Sequence, residues 1–370
     1  MSAIFQNFSF LTWQQVVMWG IGALLIYLAI AKDMEPSLLL PMGFGAILVN
    51  IPMSGAITQG AEIGVLNVLF NGGIANELFP LLLFIGIGAM IDFEPLLTNP
   101  KLMLFGAAAQ FGIFFTLVVA SLLGFPLKDA ASIAIIGAAD GPTSIFVANY
   151  LGSNYIGPII IAAYSYMSLV PIVQPPIIKL LTSKKERRIR MEYTGSSVSK
   201  TTKILFPIIV TVIAGLFAPR SVALVGFLMF GNLIRECGVL NSLSQTAQTA
   251  LANLITLLLG LTVAANMQAD SFLTLNTLMI IGLGLVAFVF DTVGGVLFGK
   301  VINLFVKKKV NPMIGAAGIS AFPMASRVIH KMGLAEDKQN FLLMHAAGAN
   351  VAGQIASVLA GGILLNLIVK

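Results

Sequence analysis

Ten apolar runs follow one another along the chain, each carrying at most one charged residue. They lie near 13–31, 36–51, 76–91, 101–125, 155–181, 204–217, 220–234, 249–266, 273–298 and 339–369. A bilayer span takes about 20 mainly apolar residues, so the sequence is written for a membrane rather than for water. Composition agrees. Only 10% of the 370 residues are charged, against about 25% in a soluble domain, and the mean hydropathy is +0.95. The expected fold class is an all-α polytopic membrane protein. The first run has the length of a secretory signal. Lys32, Asp33 and Glu35 follow it instead of a small-residue cleavage pattern, so it reads as a retained span.

The formal net charge of +6 raises the question of nucleic acid, and the placement of the charges answers it. Seven of the 21 basic residues lie in 182–203, "TSKKERRIRMEYTGSSVSKTTK", and four more in 300–309, "KVINLFVKKK". Short basic loops between apolar spans mark the cytoplasmic side. They read as solvated anchors facing anionic lipid, a role compatible with docking an acidic partner. Four spans separate the two loops, an even number, so both can face the cytoplasm. Cys237 is the only cysteine and His330 and His345 the only histidines, too few for an internal disulfide or a histidine-based zinc site.

The basic loop divides the chain into a first half, 1–181, and a second half, 204–370, of about five spans each. Three stretches do not read as plain spans. Residues 52–75 are rich in glycine and look interfacial or re-entrant. Residues 129–152 and 311–333 are apolar but interrupted by glycine, proline and polar residues. "IGAADGPTSI" (136–145) resembles "IGAAGISAFP" (314–323), and "LLFIGIGAMIDFEPLL" (82–97) resembles "LLLGLTVAANMQADSF" (257–272), in the same order in both halves. Repeats with an odd number of spans must lie in opposite orientations. The expectation is two inverted repeats with paired broken, re-entrant segments at the centre, where secondary transporters bind their ions.

Those segments carry the candidate chemistry. Irregular backbone survives at membrane depth only where protein or a wet cavity covers it. Gly141 and Pro142 interrupt the helical ladder, and the carbonyls so freed can coordinate a cation. Asp140 adds a full charge that costs about 2.5–3.5 kcal/mol at mid-membrane on insertion scales. Thr143 adds a hydroxyl. In the second segment Asn311 offers an amide oxygen, Ser320 a hydroxyl, and Gly315 and Gly318 a close backbone approach. Segments meeting tip to tip would make a cage of hard oxygens with one carboxylate, suited to Na⁺ rather than Ca²⁺. The competing reading of Asp140 is a helix-cap aspartate at a membrane edge; of Thr143 and Ser320, hydroxyls bonded to their own helix.

"GAADGPTSIFVANYLG", "YSYMSLVPIVQPPIIK", "NPMIGAAGISAFPMASRV" and "MHAAGANVAGQIASV" together resemble the membrane β subunit of the sodium-pumping biotin-dependent decarboxylases, from about residue 15 to the C-terminus. The resemblance implies a carboxybiotin decarboxylase that consumes a proton and exports Na⁺. It implies a biotin carrier protein, a carboxyltransferase α subunit and a small single-span γ- or δ-type subunit as partners, a homo-oligomeric arrangement, and a bacterial cytoplasmic membrane. It ties Asp140, Asn311, Gly315 and Ser320 to Na⁺ binding, and Tyr166 and Arg327 to proton delivery and carboxybiotin handling. Arg327 offers a planar fork to a carboxylate. From the residues alone, Tyr166 could equally be an interfacial belt aromatic like its neighbour Tyr164, and Arg327 a snorkelling residue at a helix end.

Asp291, deep in "LVAFVFDTVGGVLFGK", is a second intramembrane acid and a candidate for an ion path. Asn149, Asn350 and His345 are expected to bridge helices. Asp33, Glu35, Asp92, Glu94 and Asp270 lie at run ends and read as solvated. A Na⁺-coupled carrier of a small organic anion is the alternative function, with Arg327 on the solute carboxylate. A non-transporting scaffold would not keep a mid-membrane acid, and no G-x-x-x-x-G-K-[ST] loop is present for ATP-driven pumping.

Overall fold

A computed structural model describes residues 6–60, 62–192 and 198–369. Among the described residues the regular structure is helical, apart from one isolated bridge between Gln59 and Glu62. In order come α1 (Trp13–Lys32), α2 (Pro36–Val49), α3 (Val65–Ile74), α4 (Leu78–Met90), α5 (Leu102–Leu122), α6 (Leu127–Ala134), α7 (Gly141–Tyr150), α8 (Ile156–Leu181), α9 (Lys200–Phe217), α10 (Val222–Glu236), α11 (Asn241–Asn266), α12 (Leu275–Phe305), α13 (Met324–Glu336) and α14 (Leu343–Ile368).

Every one of the ten predicted runs is helical. Seven of these helices, α1, α5, α8, α9, α11, α12 and α14, are long and apolar enough to cross a membrane. The other three, α2, α4 and α10, have 14, 13 and 15 residues. At 1.5 Å per residue they span about 20 Å, short of the roughly 30 Å of hydrocarbon. The glycine-rich stretch predicted as interfacial or re-entrant becomes α3, which meets α4 at a 60° bend. Caps set several starts. Thr12 and Gln15 form a capping box ahead of α1, and the Ser199 side chain accepts from Thr202 N–H ahead of α9.

The two broken segments are hairpins entering from opposite sides. In the first, α6 runs inward, turns through 135–140, and returns as α7. Its open end is tied by Lys128 Nζ donating to Gly152 O (3.1 Å) and by Asp129 Oδ1 accepting from Ser153 Oγ (2.7 Å) and Asn154 N–H (3.0 Å). In the second, one helical turn, Met313–Ala316, leads to an irregular tip and back through α13. Its open end is tied to the basic segment: Asn311 Nδ2 donates to the carbonyls of Arg187 and Ile189, both at 3.0 Å, and Arg187 Nε pairs with Glu336 at 2.6 Å. The 26-residue α8 separates the two open ends. The tips meet where Ser320 N–H donates to Ala138 O at 3.0 Å.

The main apolar core gathers both hairpins with α5, α8, α10, α12 and α14. A second core joins α1, α2 and α11 to one face of α7 and α8, through Ile145, Ile160, Ile161 and Tyr164.

Candidate functional site

The first tip holds the carboxylate. Ala139 takes a left-handed conformation, φ 51°, unusual for a residue with a Cβ, and this reverses the chain. Asp140 follows as the N-cap of α7. Its Oδ1 accepts from Thr143 N–H at 3.3 Å, and its Oδ2 accepts from Thr143 Oγ1 at 2.6 Å. Ser357 Oγ on α14 lies 3.0 Å from Oδ2 and 3.0 Å from Gln354 O, and shares its proton between them. Asp140 is therefore a cap, as the competing reading had it, but one buried at the meeting point of two hairpins rather than at a membrane edge. Its residual exposure is 4%. Among the described residues no Lys or Arg pairs with it. A buried carboxylate supported only by hydroxyls and one amide N–H is a poor resting place for charge and a good seat for a cation.

The second tip answers where irregular backbone finds its partners. Four side-chain amides from other helices each donate to one carbonyl of the tip, Gln110 also to Gly106 O of its own helix at 3.0 Å and Gln174 also to Thr292 Oγ1 at 3.3 Å. Gln174 Nε2 donates to Ala316 O (2.8 Å), Gln110 Nε2 to Gly318 O (3.4 Å) and Asn350 Nδ2 to Ile319 O (2.7 Å); Gln354 Nε2 donates to Ser320 O. All four side chains are buried, and the oxygen of each amide has no partner. An unpaired backbone group in hydrocarbon costs several kcal/mol, so this belt is what permits the tip. Ala138 O in turn accepts from Ser320 N–H, and the carbonyls of residues 316 and 318–320 accept from the amides. Of the four amides, the sequence pointed only to Asn350, expected to bridge helices; it donates instead from α14 to the irregular tip. Gln110, Gln174, Gln354 and Ser357 were missed, because each sits inside an apolar helix whose sequence does not show which distant carbonyl or carboxylate it meets.

The predicted residues divide into groups. Asp140, Thr143 and Ser320 come together at the tips, and Ser320 Oγ donates to Gly353 O at 3.0 Å. Asn311 and Gly315 lie along the second hairpin's arm. The Asn311 amide is spent on Arg187, Ile189 and its own turn, its Oδ1 accepting from Met313 N–H at 3.1 Å; no hydrogen bond joins it to Asp140. A Cβ on Gly315 would fall 1.8 Å from Gly295 O, so only glycine lets this arm lie on α12. Tyr166 is buried on α8, its hydroxyl donating to Ile281 O and its ring stacked on Phe288 with centroids 6.4 Å apart. Arg327 is exposed on α13. Glu35, in the turn between α1 and α2, feels its charge: burial pushes the Glu35 carboxyl up and Arg327 opposes that rise.

Two further expectations change. Tyr164 is not a belt aromatic; it is 2% exposed and lies on the Asp140 motif. Glu94 is not simply solvated, since Lys203 Nζ pairs with it at 2.6 Å. Asp291 sits apart from Asp140 and caps the second half of α5 from α12, its Oδ1 accepting from Ile113 N–H at 3.2 Å. Its Oδ2 has no partner and faces Gly137, where a Cβ would lie 2.6 Å away.

A bundle of apolar helices, seven of them long enough to cross a membrane, that encloses two short hairpins closing on one buried carboxylate defines a multi-pass membrane protein. The chain belongs to the family of Na⁺-transporting oxaloacetate decarboxylase β subunits, whose profile matches residues 14–368. It is 49% identical to the glutaconyl-CoA decarboxylase β subunit of Acidaminococcus fermentans, over 100% of this chain and 97% of that one. It is 50% identical to the methylmalonyl-CoA decarboxylase β subunit of Veillonella parvula (95% and 92% covered) and 44% identical to the oxaloacetate decarboxylase β chain of Klebsiella pneumoniae (96% and 95%). It is thus the membrane subunit of a Na⁺-translocating decarboxylase and works with partner subunits, not as a solitary carrier of an organic anion.

Proposed function

We propose that this subunit decarboxylates carboxybiotin presented by a partner biotin carrier protein and uses the reaction to export Na⁺ across a bacterial cytoplasmic membrane, with the basic loops on the cytoplasmic side. A carboxyltransferase α subunit loads the biotin, a small single-span γ- or δ-type subunit completes the complex, and the β subunit associates with further copies of itself. The halves 1–181 and 204–370 act as inverted repeats, and movement of one part against the rest gives alternating access. The observation that carries the reading is the placement of Asp140: one buried acid at the junction of two hairpins that open to opposite sides.

In this reading Asp140, with Thr143 and Ser320, holds Na⁺, and Asn311 and Gly315 shape the arm along which it arrives. Asp291 borders the path through its free oxygen. Arg327 receives the carboxylate of carboxybiotin. Next to it along α13 a cavity of about 430 Å³ is lined by Pro171, Pro175, Lys179, Val328, Lys331 and Glu336, two lysines against one carboxylate. Cleavage of the C–N bond releases CO₂ and leaves the electron pair on the ureido nitrogen, which takes a proton. Tyr166 supplies that proton as the general acid and is reprotonated from the outer side. Na⁺ and H⁺ compete for the same oxygens at Asp140 and Ser320, so arrival of one expels the other.

The test is the complex purified with its subunits, reconstituted in vesicles, with a biotinylated polypeptide detected and Na⁺ uptake followed during decarboxylation. Asp140→Asn is expected to insert normally and lose about two orders of magnitude or more of Na⁺-stimulated turnover, on the order of 3 kcal/mol. Normal turnover in that variant overturns the reading.

A further inference from the structure

One polar group at the centre of the molecule has no assigned task. The hydroxyl of Tyr164 is buried and has no hydrogen-bond partner. The residues that share its apolar cluster on α7 and α8 are Ile145, Ile160 and Ile161, none of which can satisfy it. Its ring rests on the motif itself. A Cβ built on Gly141 would lie 2.2 Å from Cζ of Tyr164, the ring carbon that bears the hydroxyl, and 2.3 Å from Cε1. The hydroxyl end of the phenol is therefore seated over the glycine that follows Asp140. Tyrosine hydroxyls buried in apolar surroundings usually find a partner, and the residue that precedes Gly141 in the chain is Asp140. That carboxylate already receives Thr143 Oγ1 and Ser357 Oγ on Oδ2, whereas Oδ1 receives only the long 3.3 Å contact from Thr143 N–H.

The neighbouring tyrosine is differently employed. Tyr166 donates to Ile281 O and faces α12. Residues two apart on a helix point about 200° apart, so Tyr164 lies against Gly141 and Tyr166 on the side of α12.

We propose that Tyr164 is a specificity-determining residue of the Asp140 site: its hydroxyl gives a neutral oxygen to the monovalent cation held by Asp140, and its ring, fixed on Gly141, limits the size of cation that fits. The proposal rests on the reading that Asp140 binds the transported cation. It explains why the residue after Asp140 has no side chain, since any Cβ would displace the ring. It also explains why a buried hydroxyl is kept where phenylalanine would fill the same volume.

The test uses the intact complex and measures decarboxylation against Na⁺ and against Li⁺. Tyr164→Phe keeps the ring and its seat. It is expected to raise the half-saturating Na⁺ concentration about tenfold, the effect of losing one oxygen from a charged partner, and to change the ratio of Li⁺ to Na⁺ half-saturation. The rate at saturating Na⁺ should stay within about twofold. Unchanged Na⁺ half-saturation and an unchanged Li⁺/Na⁺ ratio would mean that Tyr164 only fills space, and the proposal falls. A collapse of the saturated rate with unaltered Na⁺ half-saturation also overturns it, because the hydroxyl would then serve the chemistry. Asp140→Asn, assayed in parallel, separates the two levels. If Asp140→Asn abolishes Na⁺ dependence and Tyr164→Phe does nothing, only this inference fails. If Asp140→Asn keeps its Na⁺ dependence, the underlying reading fails as well.

Discussion

Ser320 hands its backbone N–H to the carbonyl of Ala138 at 3.0 Å, and this bond joins two hairpins that enter the protein from opposite sides. Each hairpin is too short to cross a membrane. They meet tip to tip, and the acid of the first sits at the seam. Such a junction is only as firm as the partners of the irregular backbone around it.

Those partners are the four amides, and their removal should be costly. Gln174→Leu leaves Ala316 O unpaired and Asn350→Leu leaves Ile319 O unpaired. Each is expected to cost about 1–3 kcal/mol, the penalty for a buried unsatisfied acceptor. Thermal unfolding of the purified complex in detergent should show a midpoint several degrees lower for each variant. An unaltered midpoint for both would mean that the amides do not support the tip.

Tyr166 should behave in the opposite way to Tyr164. Tyr166→Phe removes the hydroxyl that donates to Ile281 O and keeps the stacking on Phe288. As loss of a general acid it should lower the saturated decarboxylation rate by about 10²–10⁴ and leave Na⁺ half-saturation within about twofold. A wild-type rate in Tyr166→Phe counts against the donor role.

Much of this was readable in the sequence, for physical reasons. Ten apolar runs became ten helices because hydrocarbon leaves the backbone no other partner. The hairpins were visible as Gly/Pro breaks inside apolar sequence, and "ADGPT" located the acid. What stayed hidden depends on azimuth and on distance along the chain. Tyr164 and Tyr166 are equivalent as letters and differ only in which neighbour each faces. Ser357 and Gln354 lie more than 200 residues after Asp140 in a glycine- and alanine-rich helix, where sequence texture reports close packing and nothing about which carbonyl is near. Asn311 offered an oxygen by its chemistry, but its amide closes the hairpin base against the basic segment.

That closure has a pH signature. The Arg187 guanidinium, by its hydrogen bond to Glu336, holds the Glu336 carboxyl below the usual glutamate range. A group whose folded pKa is depressed contributes stability that is complete above its unfolded value and lost as pH falls through the folded value. Attachment of the basic segment to α13 should therefore be constant from neutral pH down to the ordinary carboxylate range and weaken only below it. Limited proteolysis of the basic loop across pH measures this. Glu336→Gln should be cut faster from neutral pH down to the carboxylate range and like wild type below it; equal cutting of variant and wild type at neutral pH would show that the pair does not hold the loop.

Asp291 combines a cap with a free oxygen, and two substitutions separate these. Its Oδ1 accepts from Ile113 N–H and so caps the part of α5 that begins at Phe111, after an interruption at residues 109–110, while Oδ2 is unpartnered against Gly137 on the first hairpin. Asp291→Ala removes both. It should destabilise the protein by about 0.5–2 kcal/mol, as loss of a helix cap does, and lower the unfolding midpoint. Asp291→Asn keeps an oxygen for Ile113 and removes the charge. Its midpoint should match wild type, and its Na⁺-stimulated turnover should fall several-fold if the free carboxylate oxygen borders the ion path. Wild-type turnover in Asp291→Asn, together with a lowered midpoint in Asp291→Ala, would confine Asp291 to the cap and leave Asp140 as the only membrane-embedded acid that the cation meets.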